Sequence, residues 1–191
     1  MNYFQLPVSF GTVFFFWNHQ GLLSRIQLHT GPSTGPKSFL VPFGLAETIS
    51  RVRDYFYTGV PVGFVPWDLL DLQSLSEFQI QVYQMAAQVP HGETRTYGAI
   101  AKALGKVSAS RAVGQALKKN PFPILVPCHR VVNAHGTGGF LGELDPSHAF
   151  PQVKRTLIAL EEEYLNPVFS FLPGMMRQAD YTKASVFSSK N

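Results

Sequence analysis

The sequence predicts a mixed fold, α/β in content and α+β in arrangement, with a small α+β part first and a mostly helical part after it. Three observations predict this. Strand-type runs fall between Ser9 and Thr30, apolar residues at helical spacing begin at Ala46, and two short helical stretches joined by a glycine-containing turn lie between Thr96 and Lys119. The expected division is an α+β support domain over 1–72, a helix-turn-helix domain over 73–165 and a tail over 166–191.

The elements follow in chain order. Phe10 and Thr12 to Trp17 form a β-branched and aromatic run, Asn18-His19-Gln20-Gly21 supplies turn chemistry, and Leu22 to Leu28 resumes with alternating character, so two strands are expected. Gly31-Pro32-Ser33-Thr34-Gly35-Pro36 reads as a loop. Ile49, Val52, Tyr55 and Phe56 sit at helical spacing within Ala46 to Tyr57, and Thr58-Gly59 ends that helix. Nothing in this first part joins a nucleophile, a base and a ligand, so a supporting role is expected of it. Pro61 to Asp71 has the composition of a linker. Ser76 is a cap for a helix carrying Phe78, Ile80, Val82, Tyr83 and Met85. A shorter helix starts at Thr96-Tyr97 and reaches Leu104-Gly105, and Ser108 is placed to cap a third, Ala109 to Lys119.

That last pair has the helix-turn-helix pattern, although two adjacent helices often only pack together. The third helix presents Arg111, Lys118 and Lys119 among the small residues Ala109, Ala112, Gly114 and Ala116. A glycine inside a helix costs about 1 kcal/mol relative to alanine. Close approach to another surface, either a nucleic-acid groove or a neighbouring helix, would offset that cost. Charge points the same way. The chain carries a net charge of +4, yet between His91 and Arg130 stand seven bases (Arg95, Lys102, Lys106, Arg111, Lys118, Lys119 and Arg130) against the single acid Glu93. A positive field concentrated in one segment is the footprint of a surface that faces phosphate.

The bulk composition narrows the classes further. At 191 residues with 45% hydrophobic and 15% charged content, the chain has the balance of a globular protein with a real core. No apolar run approaches the ~20 residues needed to span a bilayer, so no membrane partner is expected. Met1 to Pro7 holds no basic residue, which speaks against a secretory signal and makes the cytoplasm the expected compartment. The one cysteine, Cys128, excludes an internal disulfide and any zinc site built from two or more thiolates. No metal or cofactor is expected. A lone cysteine is often a small buried hydrophobe, but this one follows Pro121, Pro123 and Pro127, which enforce an extended or turning path. His129 and Arg130 beside it predict an electropositive setting that favours thiolate. Adjacency alone does not make His129 face Cys128, so a relay through water is equally compatible with the sequence.

Pro127-Cys128-His129-Arg130-Val131 resembles the PCHRV active-site motif of the O6-alkylguanine-DNA alkyltransferases, the methylated-DNA–protein-cysteine methyltransferases. Gly92 to Gly98 with Ile100-Ala101, Ser110 to Gly114, Asn120-Pro121 and Pro123-Ile124 match that family in order and spacing. The resemblance is strong from about Leu75 to Val132 and weaker through Lys154 to Glu161 and over the N-terminal region. It implies a ribonuclease H-like first domain and, in the second, a helix laid in the DNA minor groove. It implies Cys128 as alkyl acceptor, His129 as its base through a water, Glu161 as the carboxylate that orients His129, and Asn120 as the brace of the cysteine turn. Tyr97 would rotate the nucleotide, contact its phosphate and give the departing guanine a proton. Arg111 would fill the space of the flipped base, with Thr96, Ala112, Gly114 and Arg130 completing the DNA-contacting set. The implied partner is double-stranded DNA carrying O6-alkylguanine, with O4-alkylthymine a second candidate lesion, and the protein is expected to act as a monomer.

Two departures qualify the resemblance. Gly136 to Gly142 stands for a glycine-rich loop that usually reads GYxGG, with Phe140 at the tyrosine position, and Glu143 to Pro151 reads as an insertion. Glu162 and Glu163 follow Glu161 directly, so a solvated helix end is the bland reading of all three. A damage sensor that flips bases without accepting the alkyl group is the alternative, and the presence of Cys128 opposes it. A transcription factor is disfavoured by a third helix rich in alanine and glycine rather than base-reading amides. A cysteine hydrolase would need an oxyanion-hole motif that does not accompany Cys128.

Overall fold

The computed structural model describes residues 2–31 and 40–165; most of the predicted Gly31–Pro36 loop and the tail over 166–191 lie outside the described residues. Three antiparallel strands, β1 (Asn2–Val8), β2 (Gly11–Trp17) and β3 (Leu23–Thr30), form one sheet in that order. The predicted pair corresponds to β2 and β3, and β1 is an additional edge strand. Pro7 sits at its end, where its missing N–H costs the ladder little.

Alternation puts Val13, Phe15 and Trp17 of β2 on the buried face, opposite Leu28, Ile26 and Leu23 of β3. A register shift at Phe16/Trp17 lets Leu23 and Ile26 both face inward although three positions separate them. The helix α1 (Phe43–Thr58) lays Leu45, Ile49, Val52, Tyr55 and Phe56 against this face. It ends at Gly59, whose φ of 74° is the left-handed cap conformation open to glycine.

The expected linker contains a 3₁₀ turn, Trp67–Leu69, and closes the edge of β3: Leu70 bridges Leu23, and the Asp71 N–H donates to the Leu23 carbonyl at 2.8 Å. Further along the same edge, the Ile26 N–H donates to the Pro121 carbonyl at 2.7 Å. The sheet is thereby fastened to the segment that leads to Cys128. One continuous cluster of buried residues runs from the sheet through α1 to the later helices.

Among those helices, α2 (Glu77–Ala87) starts at Ser76 in a capping box with Gln79, as predicted for the cap. A two-residue strand, β4 (Arg95–Thr96), leads into α3 (Tyr97–Ala103), whose first turn is capped by Thr96 Oγ1 accepting from the Ala99 N–H. The fourth helix, α4 (Ser110–Lys118), begins one residue later than expected. Ala109, not Ser108, occupies the cap position, and no side chain caps it. The Ala109 N–H closes the preceding turn on the Lys106 carbonyl. The parallel partner of β4 is β5 (Val131–Val132), and α5 (Ala149–Leu165) closes the described chain. The expected insertion therefore splits: its last three residues belong to the first turn of α5, where Pro151 is tolerated. No helix among the described residues is long and apolar enough to cross a membrane.

A candidate active site around Cys128

The segment before Cys128 is held by burial and one strained residue. Phe122, Ile124, Leu125 and Val126 are all buried, and Ile124 has a φ of 77°, a costly conformation for a β-branched residue. The Val126 N–H closes this turn on the Phe122 carbonyl at 2.8 Å. Asn120 braces the turn from inside. Its side-chain amide donates to the Val126 carbonyl at 3.0 Å and to Cys128 Sγ at 3.2 Å, while its oxygen accepts from the Phe122 N–H. Cys128, His129 and Arg130 then form a 3₁₀ turn that runs into β5.

Behind the thiol lies a carboxylate cluster centred on Glu161, which is 1% exposed. Its Oε1 accepts from His129 Nε2 at 2.7 Å, from the Tyr55 hydroxyl at 2.8 Å and from Arg130 Nη2 at 3.0 Å. Its Oε2 accepts from Arg130 Nε at 2.9 Å and from the Gly92 N–H at 3.0 Å. Burial alone would raise this carboxyl, but hydrogen bonds and charge from His129 and Arg130 outweigh it and hold it well below the ordinary carboxylate range. A permanent carboxylate can only accept, so His129 Nε2 carries the proton. Burial pushes the imidazole below its ordinary 6.5 despite the pull of Glu161, which leaves the ring neutral. Its Nδ1 is therefore a lone pair, buried and without a hydrogen-bond partner among the described residues.

The thiol environment differs from the sequence expectation. Burial pushes the Cys128 thiol up, against the Asn120 hydrogen bond and the Lys154 charge, which pull it down. His129 is neutral and Arg130 is committed to Glu161, so neither supplies the predicted electropositive setting. The cation whose field reaches Cys128 is Lys154 of α5, an amine with no exposed surface that donates to the Val131 carbonyl at 2.7 Å and the Gly139 carbonyl at 3.2 Å. Burial, partly countered by Cys128, lowers it to about 8. The sequence marked Lys154 only as part of a motif. A lysine within the apolar face of α5, between Val153 and Leu157, was the signal available.

Arg130 also departs from expectation. Placed with the DNA-contacting residues by the sequence, it is buried and spends its donors on Glu161, the Val89 carbonyl at 2.8 Å and His91 Nδ1 at 3.3 Å. Buried and held to Glu161, it is not positioned as a surface cation for a phosphate. His91, unremarked in the sequence, stands 3.7 Å from Glu161 Oε1.

In front of Cys128 opens a cleft of about 580 Å³. Tyr97, Arg111, Gly114, Val132, Phe140 and Leu141 line it with Cys128, and Thr96 stands at its edge. Tyr97 reaches it because β4 pairs in register with β5, Arg95 opposite Val131 and Thr96 opposite Val132. Burial, and then the neighbouring thiol, raise the Tyr97 hydroxyl, so it remains a proton donor. On α4, Val113, Ala116 and Leu117 face the core while Arg111, Ala112, Gln115, Lys118 and Lys119 are exposed. Arg111 makes no hydrogen bond or ion pair among the described residues. The glycine-rich loop places Phe140 inside, with Leu141 at a φ of 48° and Gly142 at 93° packed against the Lys118 side chain.

A single thiol faces a cleft, with the histidine of a histidine–carboxylate pair next to it in sequence and a basic helix at the rim, so the candidate site is centred on this cysteine. The family profile described as 6-O-methylguanine DNA methyltransferase, DNA binding domain, matches residues 77–163. A methylated-DNA–protein-cysteine methyltransferase of Mycolicibacterium paratuberculosis is 47% identical over 137 residues, covering 71% of this chain and 72% of the relative. One from Methanosarcina acetivorans is 47% identical over 87 residues, which span 45% of this chain and about half, 51%, of that relative. The crystal structure of Mycobacterium tuberculosis OGT in complex with DNA superposes with a TM-score of 0.63 at 29% identity, covering 86% of this chain and 94% of that one. This chain belongs to the methylated-DNA–protein-cysteine methyltransferase family.

Proposed function

We propose that the protein repairs DNA directly, by moving the alkyl group of O6-alkylguanine in double-stranded DNA irreversibly onto Cys128. The observation that carries this reading is the meeting, in one cleft, of the Cys128 thiol in front of the His129–Glu161 pair with Tyr97 and Arg111 at the opening. A damage sensor that does not accept the alkyl group would have no use for the acceptor thiol of Cys128.

In this reading α3 and α4 act as a helix-turn-helix, and α4 enters the minor groove with Ala112 and Gly114 toward the backbone. Thr96 keeps its hydroxyl proton for a phosphate while its oxygen caps α3. Residues 1–72 form the first, ribonuclease H-like domain and 73–165 the alkyltransferase domain. The damaged nucleotide leaves the stack at a cost of a few kcal/mol, and Arg111 fills the gap. A water relays the Cys128 proton to His129 Nδ1, and the Lys154 ammonium and the Asn120 amide stabilise the thiolate. Sulfur attacks the alkyl carbon in line, the S–C bond forms and the C–O6 bond breaks. The guanine anion takes a proton from the Tyr97 hydroxyl, and solvent restores Tyr97 and receives the proton from His129. The thioether is stable and the chain holds no second cysteine to resolve it, so each molecule acts once. O4-alkylthymine offers the same O-alkyl geometry and is a second candidate substrate. The unit that acts is a monomer.

Intact-protein mass after mixing with a duplex bearing one O6-methylguanine tests the proposal. A stoichiometric gain of one methyl, mapped to the Cys128 peptide and absent in Cys128→Ala, is expected. Binding to the lesion without any gain in mass would replace this reading with that of a sensor.

A further inference from the structure

Tyr55 belongs to α1, in the part of the chain expected only to support, yet its hydroxyl reaches a carboxylate 106 positions away in sequence. It is fully buried and packs edge-on against His91. The hydroxyl donates to Glu161 Oε1 at 2.8 Å, the same oxygen that His129 Nε2 reaches at 2.7 Å, and the two donors lie 3.3 Å apart. The second distance follows from convergence: both protons point at one oxygen, so neither is shared between Tyr55 and His129. Arg130, through both carboxylate oxygens, and Gly92 also hold the carboxylate. Tyr55 is thus not needed to keep Glu161 in place. With Arg130 Nη2 it competes with His129 for the electron density of Oε1, and of these two it is the uncharged donor, which can be removed without leaving a buried carboxylate unpaired.

We propose that Tyr55 is a positioning residue of the alkyl-transfer relay, acting through Glu161 to set how strongly the carboxylate draws a proton onto His129. The N-terminal part of the chain is in this way a working part of the site. The inference rests on the proposed role of His129 as the base of Cys128. Burial, followed by the charge of Glu161, holds the Tyr55 hydroxyl well above its ordinary range, so it remains a donor throughout the reaction. Losing this donor leaves Oε1 richer in charge, which stabilises the imidazolium and with it the Cys128 thiolate. The other charged and titratable groups acting on the pair are Arg130 of the same turn, His91 before β4, and Lys154 of α5. A Tyr55→Phe variant keeps the ring and removes only the hydroxyl.

The test uses the full chain and follows Cys128, the single cysteine, by its rate of carbamidomethylation with iodoacetamide across pH. This readout needs neither DNA nor the repair reaction, so failure of the proposed function and failure of this inference remain separable. In Tyr55→Phe the midpoint of the pH–rate curve is expected to move down by about one unit, the scale of one hydrogen bond to a charged group. In a Glu161→Gln background the same substitution is expected to give no further shift, because the path through the carboxylate is gone. A midpoint unmoved by Tyr55→Phe, or moved equally in both backgrounds, would overturn the proposal. A merely structural role would lower the thermal midpoint without moving the pH curve.

Discussion

Arg130 and Arg111 are both cations of the basic segment, and the fold gives them opposite surroundings. Arg130 neutralises a buried carboxylate through two of its nitrogens, while Arg111 is exposed and unpaired among the described residues. Removing one partner of a buried pair leaves the other charge uncompensated, at a cost of about 3–5 kcal/mol. Arg130→Ala is therefore expected to lose that much stability in denaturant titration. Arg111→Ala should stay within about 0.5 kcal/mol of the parent, as exposed sites usually do. Transfer assays should divide them in the other direction: Arg111→Ala slows transfer from duplex DNA far more than from free O6-alkylguanine. Equal losses on both substrates would remove Arg111 from the groove. The charge pattern marked the segment but carried no information on which cation would be buried. The same limit hid Tyr55, whose helical spacing marks a core position and says nothing of where its hydroxyl ends.

At the scale of elements, Gly114 in α4 separates two explanations that the sequence left open. A side chain there would meet only the Tyr97 ring, at 3.9 Å, which is ordinary contact. Helix packing therefore does not require the glycine, and the residue instead lines the cleft. Gly114→Ala is expected to stabilise the fold by up to about 1 kcal/mol through helix propensity while weakening affinity for duplex DNA. A stabilised variant with unchanged DNA affinity would assign the small residues of α4 to chance. Helices were legible in the sequence because apolar spacing and caps such as Ser76 and Gly59 are local signals. The strand β1 was not, since its pairing with β2 is what makes Asn2–Val8 extended. The cap of α4 failed for a related reason: the helix starts at Ser110, which leaves Ser108 one residue outside the cap position, in the turn that the Lys106 carbonyl closes on the Ala109 N–H. Asn120 meets Cys128 and His129 meets Glu161, contacts between residues that the resemblance had singled out, whereas Lys154 and Tyr55 needed α5 and α1 to be docked before their ends could be placed.

For the whole molecule, the cluster around Glu161 also bears on stability in acid. His129 and His91 both lie below their ordinary 6.5 in the folded protein, through burial first, with Arg130 adding to it and Glu161 opposing. As pH falls through about 6.5 the unfolded chain therefore binds more protons than the folded one, and stability declines. Glu161 adds to this lower down. Its ionised form is favoured by folding, so its contribution is present above its ordinary 4.5 and is lost as pH falls toward its depressed folded value. All three groups act with the same sign, and Tm is expected to fall steadily from pH 7 to 4.5. In a chain of this size each kcal/mol lost lowers Tm by about 2–4 °C. A His91→Asn variant should show a shallower slope between pH 6.5 and 5 because one of the two histidine contributions is gone. A flat Tm over that interval in the parent protein would mean that both imidazoles titrate in the folded state as they do in water. His129 would then be charged in weak acid and unable to take the thiol proton. The acid limb of the alkyl-transfer rate should therefore lie below pH 6.5, alongside the loss of stability, because one neutral imidazole governs both.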